Sequence, residues 1–274
     1  MAAIIDVSQL PRLRRRATLL HATMGGHAPT VGIPGALPAD LEGDFSDPES
    51  PLPHTVPADP KAPFEARGVS SDTPVIIYDE QGGVPAARVW WLAKVAGLTN
   101  AAVLDGGLRA WLDSGRETGE LADLSSVGKP GSIDAAPEWE RLVDAQGVKS
   151  ALGEYNHVVV DVRPPAVFRG DGPAHPALRS GHIPGSVNLP LGEFYSKPGY
   201  FKGFDELRDT LEPVAGPAGA IVFTCGSGVS ACVGALAANV AGYGDVQVYE
   251  GSWSEWGHRS QDEAEFPVET GPAA

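Results

Sequence analysis

Ile221-Val222-Phe223-Thr224-Cys225-Gly226-Ser227-Gly228-Val229-Ser230-Ala231-Cys232 is an apolar, β-branched run that ends in a thiol, turns through two glycines and continues into a helical stretch, Ser230–Ala241. The pattern predicts a buried strand, a tight loop and a helix. Cys225 then stands at the carboxyl end of a parallel strand, the edge at which ligands bind in open α/β sheets. Gly226 and Gly228 let the loop curl until successive backbone N–H groups, through Val229 and Ser230, point inward, and the helix adds its positive end. Such a ring favours a thiolate and makes Cys225 a candidate nucleophile; it would hold a persulfide anion equally well. A cysteine in a strand is often only a buried small residue, and its place at the strand-loop-helix junction is what argues for chemistry here. Cys232, one turn into the helix, is expected to pack as core. A disulfide between the two would need their Cα atoms within ~7 Å.

Outward from this string, the same succession of short motifs occurs twice in the same order. Val75-Ile76-Ile77-Tyr78-Asp79 matches the strand that ends in Cys225, with Asp79 opposite the thiol. Leu19–Thr23 matches Val159–Arg163, Gly32-Ile33-Pro34-Gly35-Ala36 matches His182-Ile183-Pro184-Gly185-Ser186, and Leu104–Trp111 matches Tyr249–Trp256. Ile5-Asp6-Val7 is paired with Ile133-Asp134-Ala135. Strand runs such as Val158–Asp161, Ala220–Thr224 and Val246–Tyr249 alternate with helical stretches, so each half reads as an α/β domain with a mainly parallel sheet flanked by helices. The expected organisation is a first domain over 1–117, a linker over 118–132 rich in Gly, Ser and Asp, and a second domain over 133–274 that carries Cys225. The Pro-rich stretch Asp44–Pro63 is too long for an ordinary connection and reads as a functional or docking loop of the first domain.

Composition narrows the partners. Lys and Arg number 20 against 35 Asp and Glu, a formal charge of −15 over 274 residues, which disfavours nucleic acid and anionic lipid. No apolar run approaches the ~18–20 residues of a membrane span, and Met1–Asp6 lacks the pattern of a secretory signal, so a cytoplasmic protein is expected. Two cysteines build neither a disulfide framework nor a zinc site, and no metal or cofactor is called for.

Cys225-Gly226-Ser227-Gly228-Val229-Ser230, Gly181-His182-Ile183-Pro184-Gly185-Ser186-Val187-Asn188, Asp161-Val162-Arg163 and Glu250-Gly251-Ser252-Trp253-Ser254-Glu255-Trp256 together resemble the two-domain rhodanese family, in its 3-mercaptopyruvate sulfurtransferase type. The resemblance implies two tandem rhodanese-like domains, the first catalytically silent. In the second, the cysteine takes sulfane sulfur from a small-molecule donor and passes it to cyanide or to a thiol acceptor, thioredoxin or a small thiol. Asp79, which cannot carry sulfane sulfur, agrees with a silent first domain. The resemblance also implies a relay in which the loop hydroxyl of Ser227 is served by a histidine and an acid of the first half; His54 matches the histidine, and Asp40-Leu41-Glu42 falls where the acid lies. Ser227 as a plain turn residue and His54 as a solvated loop residue are the alternatives.

Donor choice follows from charge. Relatives that prefer the thiosulfate dianion resemble a loop with Arg and Lys directly after the cysteine, where this chain has Gly226 and Ser227. Mercaptopyruvate is therefore the favoured donor and thiosulfate the second. The arginines that grip the donor carboxylate in the family are replaced here by Val167 and His175. Arg163, Arg169 and Arg179 lie nearby and are candidates to substitute, whereas His175 would hold an anion only when protonated. For Arg163 an ion pair that fixes the loop is the favoured role over substrate contact. A phosphatase or arsenate reductase is set aside, because the loop ends in Ser230-Ala231 without the arginine that clamps a tetrahedral oxyanion. A third class, a sulfur-carrying or regulatory protein that kept the fold without efficient turnover, stays open.

Overall fold

The computed structural model describes residues 1–173, 175–216 and 219–272. The apolar runs form two five-stranded sheets. The first contains β1 (Ile4–Ile5), β2 (Thr18–Thr23), β3 (Leu37–Asp40), β4 (Val75–Tyr78) and β5 (Ala101–Leu104) in the order β1-β5-β4-β2-β3, with every pair parallel. The second contains β6 (Leu142–Val143), β7 (His157–Asp161), β8 (Val187–Asn188), β9 (Ala220–Thr224) and β10 (Val246–Tyr249) in the order β6-β10-β9-β7-β8, again parallel throughout. The two orders are the same. β4 and β9 are the middle strands, fully buried along their length, as strands covered on both faces must be.

Register confirms most of the internal correspondence. Leu20 pairs with Leu37 as Val160 pairs with Val187, and Val75 lies opposite Ala101 as Ile221 lies opposite Val246. The pairing of Ile5-Asp6-Val7 with Ile133-Asp134-Ala135 is corrected. The edge strand that matches β1 is Leu142–Val143, beside β10, while the Ile133 amide donates to the Glu65 carboxylate. A two-residue edge strand has no periodicity to read, and an Ile-Asp dipeptide recurs too easily to locate one.

By contacts the chain divides into two compact units. One comprises Met1–Glu49, Val56–Trp139 and Ser196–Phe201; the other comprises Ser50–Thr55, Glu140–Tyr195 and the chain from Lys202 onward. The Pro-rich stretch is thus divided: Asp44 stays with the first unit as the bidentate partner of the buried Arg67, whereas Ser50–Thr55 packs with the second. The stretch 118–132 carries a two-residue strand, Gly119–Glu120, paired with Val31–Gly32, and the Gly131 amide donates to the Glu65 carbonyl.

Helices cover each sheet. In the first unit, Val84–Val95 buries Trp90 and Trp91, and the Trp90 indole donates to the Ala101 carbonyl at 3.2 Å. Truncating either tryptophan would cost about 3–5 kcal/mol. In the second unit the helix Ala231–Val240 is built from small residues because it lies directly on β9: a Cβ on Gly234 would stand 2.4 Å from the Phe223 ring. That close approach sets the start of the helix against the end of the strand that leads into Cys225. Among the described residues, no helix is long and apolar enough to cross a membrane.

Candidate active site

Cys225 follows the last residue of β9 and is 1% exposed. Its loop is clamped from one side by the turn after β10. The Cys225 amide donates to Ser252 Oγ at 3.1 Å, the Trp253 amide to the Cys225 carbonyl at 3.0 Å, and both the amide and the hydroxyl of Ser254 to the Gly226 carbonyl at 2.8 Å. Gly228 has φ +76°, and a Cβ there would meet the Glu250 carbonyl at 2.7 Å, so only glycine fits this close approach. Gly226 is exposed with open space around it, and Ser227 is half-buried beside it. Among the described residues, no protein acceptor takes the N–H of Ser227, Gly228, Val229 or Ser230. These are unclaimed donors at the start of a helix, the arrangement that receives anions.

The first unit holds the same loop in a filled state. Asp79 follows β4 as Cys225 follows β9, and its carboxylate accepts from the Gln81 amide at 3.0 Å, the Gly83 amide at 2.9 Å and the Ala86 amide at 2.9 Å. Burial raises the Asp79 carboxyl above its ordinary range, and these three donors oppose that shift. The turn after β5 clamps this loop as well, through the Leu108 amide on the Asp79 carbonyl at 2.8 Å. A loop of this shape therefore seats a carboxyl group carried by its first residue on its backbone amides.

Cys232 is fully buried in the helix, and its thiol donates to the Gly228 carbonyl at 3.3 Å, so it braces the loop from below. The donor-side segment gathers several of the sequence candidates. Arg163, Val167, His175, Arg179, Ser180 and Trp253 line one cavity of about 90 Å³. Arg163 is engaged elsewhere: its guanidinium contacts both Asp161 oxygens at 2.6–3.0 Å, donates to the Gly181 carbonyl and lies 4.4 Å above the Trp253 ring. Arg163 thus lines the cavity while held in an ion pair with Asp161. Arg179 donates through Nη2 to the Trp256 carbonyl at 2.7 Å, while its buried Nε has no protein partner among the described residues. Exposed His175 accepts from the Ala177 amide through Nδ1. Arg169 pairs with Asp171 at 3.1 Å and does not line the cavity.

His54 has φ +59°, one of two non-glycine residues in the left-handed region among those described. Its neighbours Pro51, Leu52 and Pro53 share a cavity of about 460 Å³ in the second unit with His175, Ser254 and His258. Asp40 ends β3 and Glu42 lies just after it in the first unit. The Asp40 carboxylate accepts from the Glu42 amide at 3.0 Å, and Glu42 accepts from the Gly25 amide at 2.9 Å. Two contributors escaped the sequence reading, Ser252 and Ser254, whose hydroxyls seize the loop backbone. The signal for Ser252 was present in the repeat, where Gly107 stands opposite it.

A doubly repeated parallel α/β sheet with a cysteine loop at the carboxyl edge of one middle strand and an acidic counterpart in the other defines a two-domain α/β protein whose candidate site is the loop of its second half. The rhodanese-like domain model matches residues 29–114 and 144–259. The chain is 38% identical over 237 residues to a 3-mercaptopyruvate sulfurtransferase of Homo sapiens, covering 84% of this chain and 78% of that protein. It is 35% identical over 234 residues to a thiosulfate sulfurtransferase of Gallus gallus, covering 83% and 79%. The crystal structure of a 3-mercaptopyruvate sulfotransferase from Escherichia coli superposes with a TM-score of 0.78 at 30% identity, over 93% of this chain and 100% of that one. The chain belongs to the rhodanese family, and it is one of the family's sulfurtransferases.

Proposed function

We propose that this sulfurtransferase takes sulfur from 3-mercaptopyruvate in preference to thiosulfate, carries it as a persulfide on Cys225 and delivers it to a thiol or to cyanide. The Cys225 thiolate attacks the donor sulfur, the carbon–sulfur bond breaks, and its electron pair forms the enolate of pyruvate, which takes up a proton. An acceptor thiolate then attacks the outer sulfur, leaving with it as a persulfide and returning Cys225 as thiolate; cyanide in the same step leaves as thiocyanate. The observation that carries this reading is the contrast between the loops: Asp79 fills its own ring of amides with a carboxylate, whereas the donors of the Cys225 loop are unclaimed. In this reading the Ser227 hydroxyl hands the proton to the enolate and His54 serves it. The neutral loop supports mercaptopyruvate over a dianion, and the acceptor suited to an acidic, cytoplasmic chain is a thioredoxin-like or small thiol.

The cavity beside Trp253, with Arg179 Nε facing no protein acceptor, is the place we assign to the donor carboxylate. A second reading, a sulfur carrier with poor donor turnover, draws support from Val167 in that cavity and from the engagement of Arg163 by Asp161. The test is intact-protein mass spectrometry after donor treatment. One added sulfur, lost with cyanide and absent in Cys225→Ser, is expected; equal labelling of Cys225→Ser would end the assignment. Turnover with both donors separates enzyme from carrier.

A further inference from the structure

Ser252 has φ +47°, a strained conformation for a non-glycine residue that persists only where surrounding structure enforces it. The matching residue of the first unit is Gly107, with φ +51°, where a Cβ would stand 2.2 Å from the Asp79 carbonyl. The same turn is therefore made without strain beside Asp79 and with strain beside Cys225. What the serine adds is visible in its bonds. Its hydroxyl donates to the Tyr249 carbonyl at 2.7 Å and accepts the Cys225 amide at 3.1 Å, with Thr224 Oγ1 3.4 Å away, all fully buried. Donation to Tyr249 orients the oxygen lone pairs toward Cys225, and Tyr249 is itself the last residue of β10, registered beside β9.

We propose that Ser252 is a positioning residue for sulfur transfer: its hydroxyl locks the Cys225 backbone to the neighbouring strand, so that the nucleophile keeps one orientation through thiolate and persulfide states while the amides of Ser227 to Ser230 remain open to the sulfur. Asp79 needs no such lock, because its carboxylate already anchors it through three bonds to its own loop. This proposal rests on Cys225 as the sulfur carrier.

Two substitutions separate positioning from stability. Glycine at φ +47° is relaxed, so Ser252→Gly removes the hydroxyl and the strain together; threonine keeps the hydroxyl and worsens the strain. With 3-mercaptopyruvate as donor and cyanide as acceptor, Ser252→Gly is expected to unfold within a few degrees of the parent while kcat falls roughly ten- to hundredfold with little change in KM. Its pH profile for iodoacetamide alkylation at Cys225 is expected to shift. Ser252→Thr is expected to melt lower yet retain more of the rate than Ser252→Gly. An unaltered kcat and alkylation profile in Ser252→Gly, with Cys225→Ser inactive, would overturn the positioning role alone. Sulfur transfer by Cys225→Ser would overturn the cysteine assignment and this proposal with it.

Discussion

Asp79 and Cys225 occupy the same station, one residue beyond the middle strand of each sheet, and the carboxylate of the first is bonded to the loop that the second leaves open. The first unit thus shows a carboxyl group seated on the backbone amides of this kind of loop. Replacing Asp79 by Asn turns one acceptor into a donor facing amide donors, and a loss of about 2 kcal/mol is expected. Because burial raises the folded-state pKa of Asp79, the folded protein holds this proton more tightly than the unfolded chain. The stability difference between parent and Asp79→Asn should therefore grow in the parent's favour as pH falls through the folded pKa toward the unfolded value of about 3.9. Urea unfolding of both proteins at a series of pH values measures it; a difference independent of pH would contradict the argument.

His21 gives the opposite slope. It is fully buried, stacked on Tyr78 with ring centroids 4.5 Å apart, and burial pushes it down to about 4 against the pull of Glu80. The unfolded chain then binds the proton first, so His21 contributes stability above an ordinary histidine pKa of about 6.5 that is lost as pH falls toward 4, up to roughly 3 kcal/mol. His21→Phe keeps the stacking and removes the titration. Chemical denaturation at pH 7 and at pH 4.5 should show the parent losing much more stability than the variant.

Val167 and His175 line one cavity with Arg179. Arginine at either position should strengthen the grip on a donor carboxylate, and the pair should raise kcat/KM for mercaptopyruvate by roughly 1.5–3 kcal/mol equivalent, more than for thiosulfate. Steady-state kinetics with both donors decides this. A double variant that gains nothing, or a parent that prefers thiosulfate, places the carboxylate elsewhere.

His54 sits at φ +59°, so His54→Gly should leave thermal stability unchanged or slightly higher. If its imidazole serves Ser227, kcat for mercaptopyruvate should nonetheless fall roughly a hundredfold, the usual scale of a lost general acid–base group. Equal kcat in parent and variant would remove His54 from the reaction.

Much of this was legible in the chain. The strand-turn-helix at Cys225 and its echo at Asp79 could be read because β4 and β9 are continuous apolar runs that end at glycine-rich turns. The edge strand β6 was misplaced because two residues carry no period. For Ser252 the repeat offers a hint, a glycine at the matching position 107, but the hydroxyl direction that gives the serine its bonds is visible only in the fold. For Arg163 the sequence points to an ion pair without naming the acid, which is Asp161, and the pairing of Arg169 with Asp171 is visible only in the folded chain.

Each unit includes a short piece of chain from the opposite half of the sequence: Ser50–Thr55 in the second and Ser196–Phe201 in the first. The latter is specific, since the Gly106 amide donates to the Gly199 carbonyl and the Phe201 amide to the Asp105 carboxylate. During synthesis, the bonds from the Asp105–Gly106 turn to Gly199 and Phe201 cannot form until residue 201 has emerged from the ribosome, by which time much of the second unit has been made. Domain-by-domain maturation, the usual route for tandem folds, therefore leaves these contacts to a later step with a long loop to close. Truncations at the midpoint should leave nascent chains exposed to proteolysis at that turn, and permutations that bring 196–201 closer to the first unit should speed its completion.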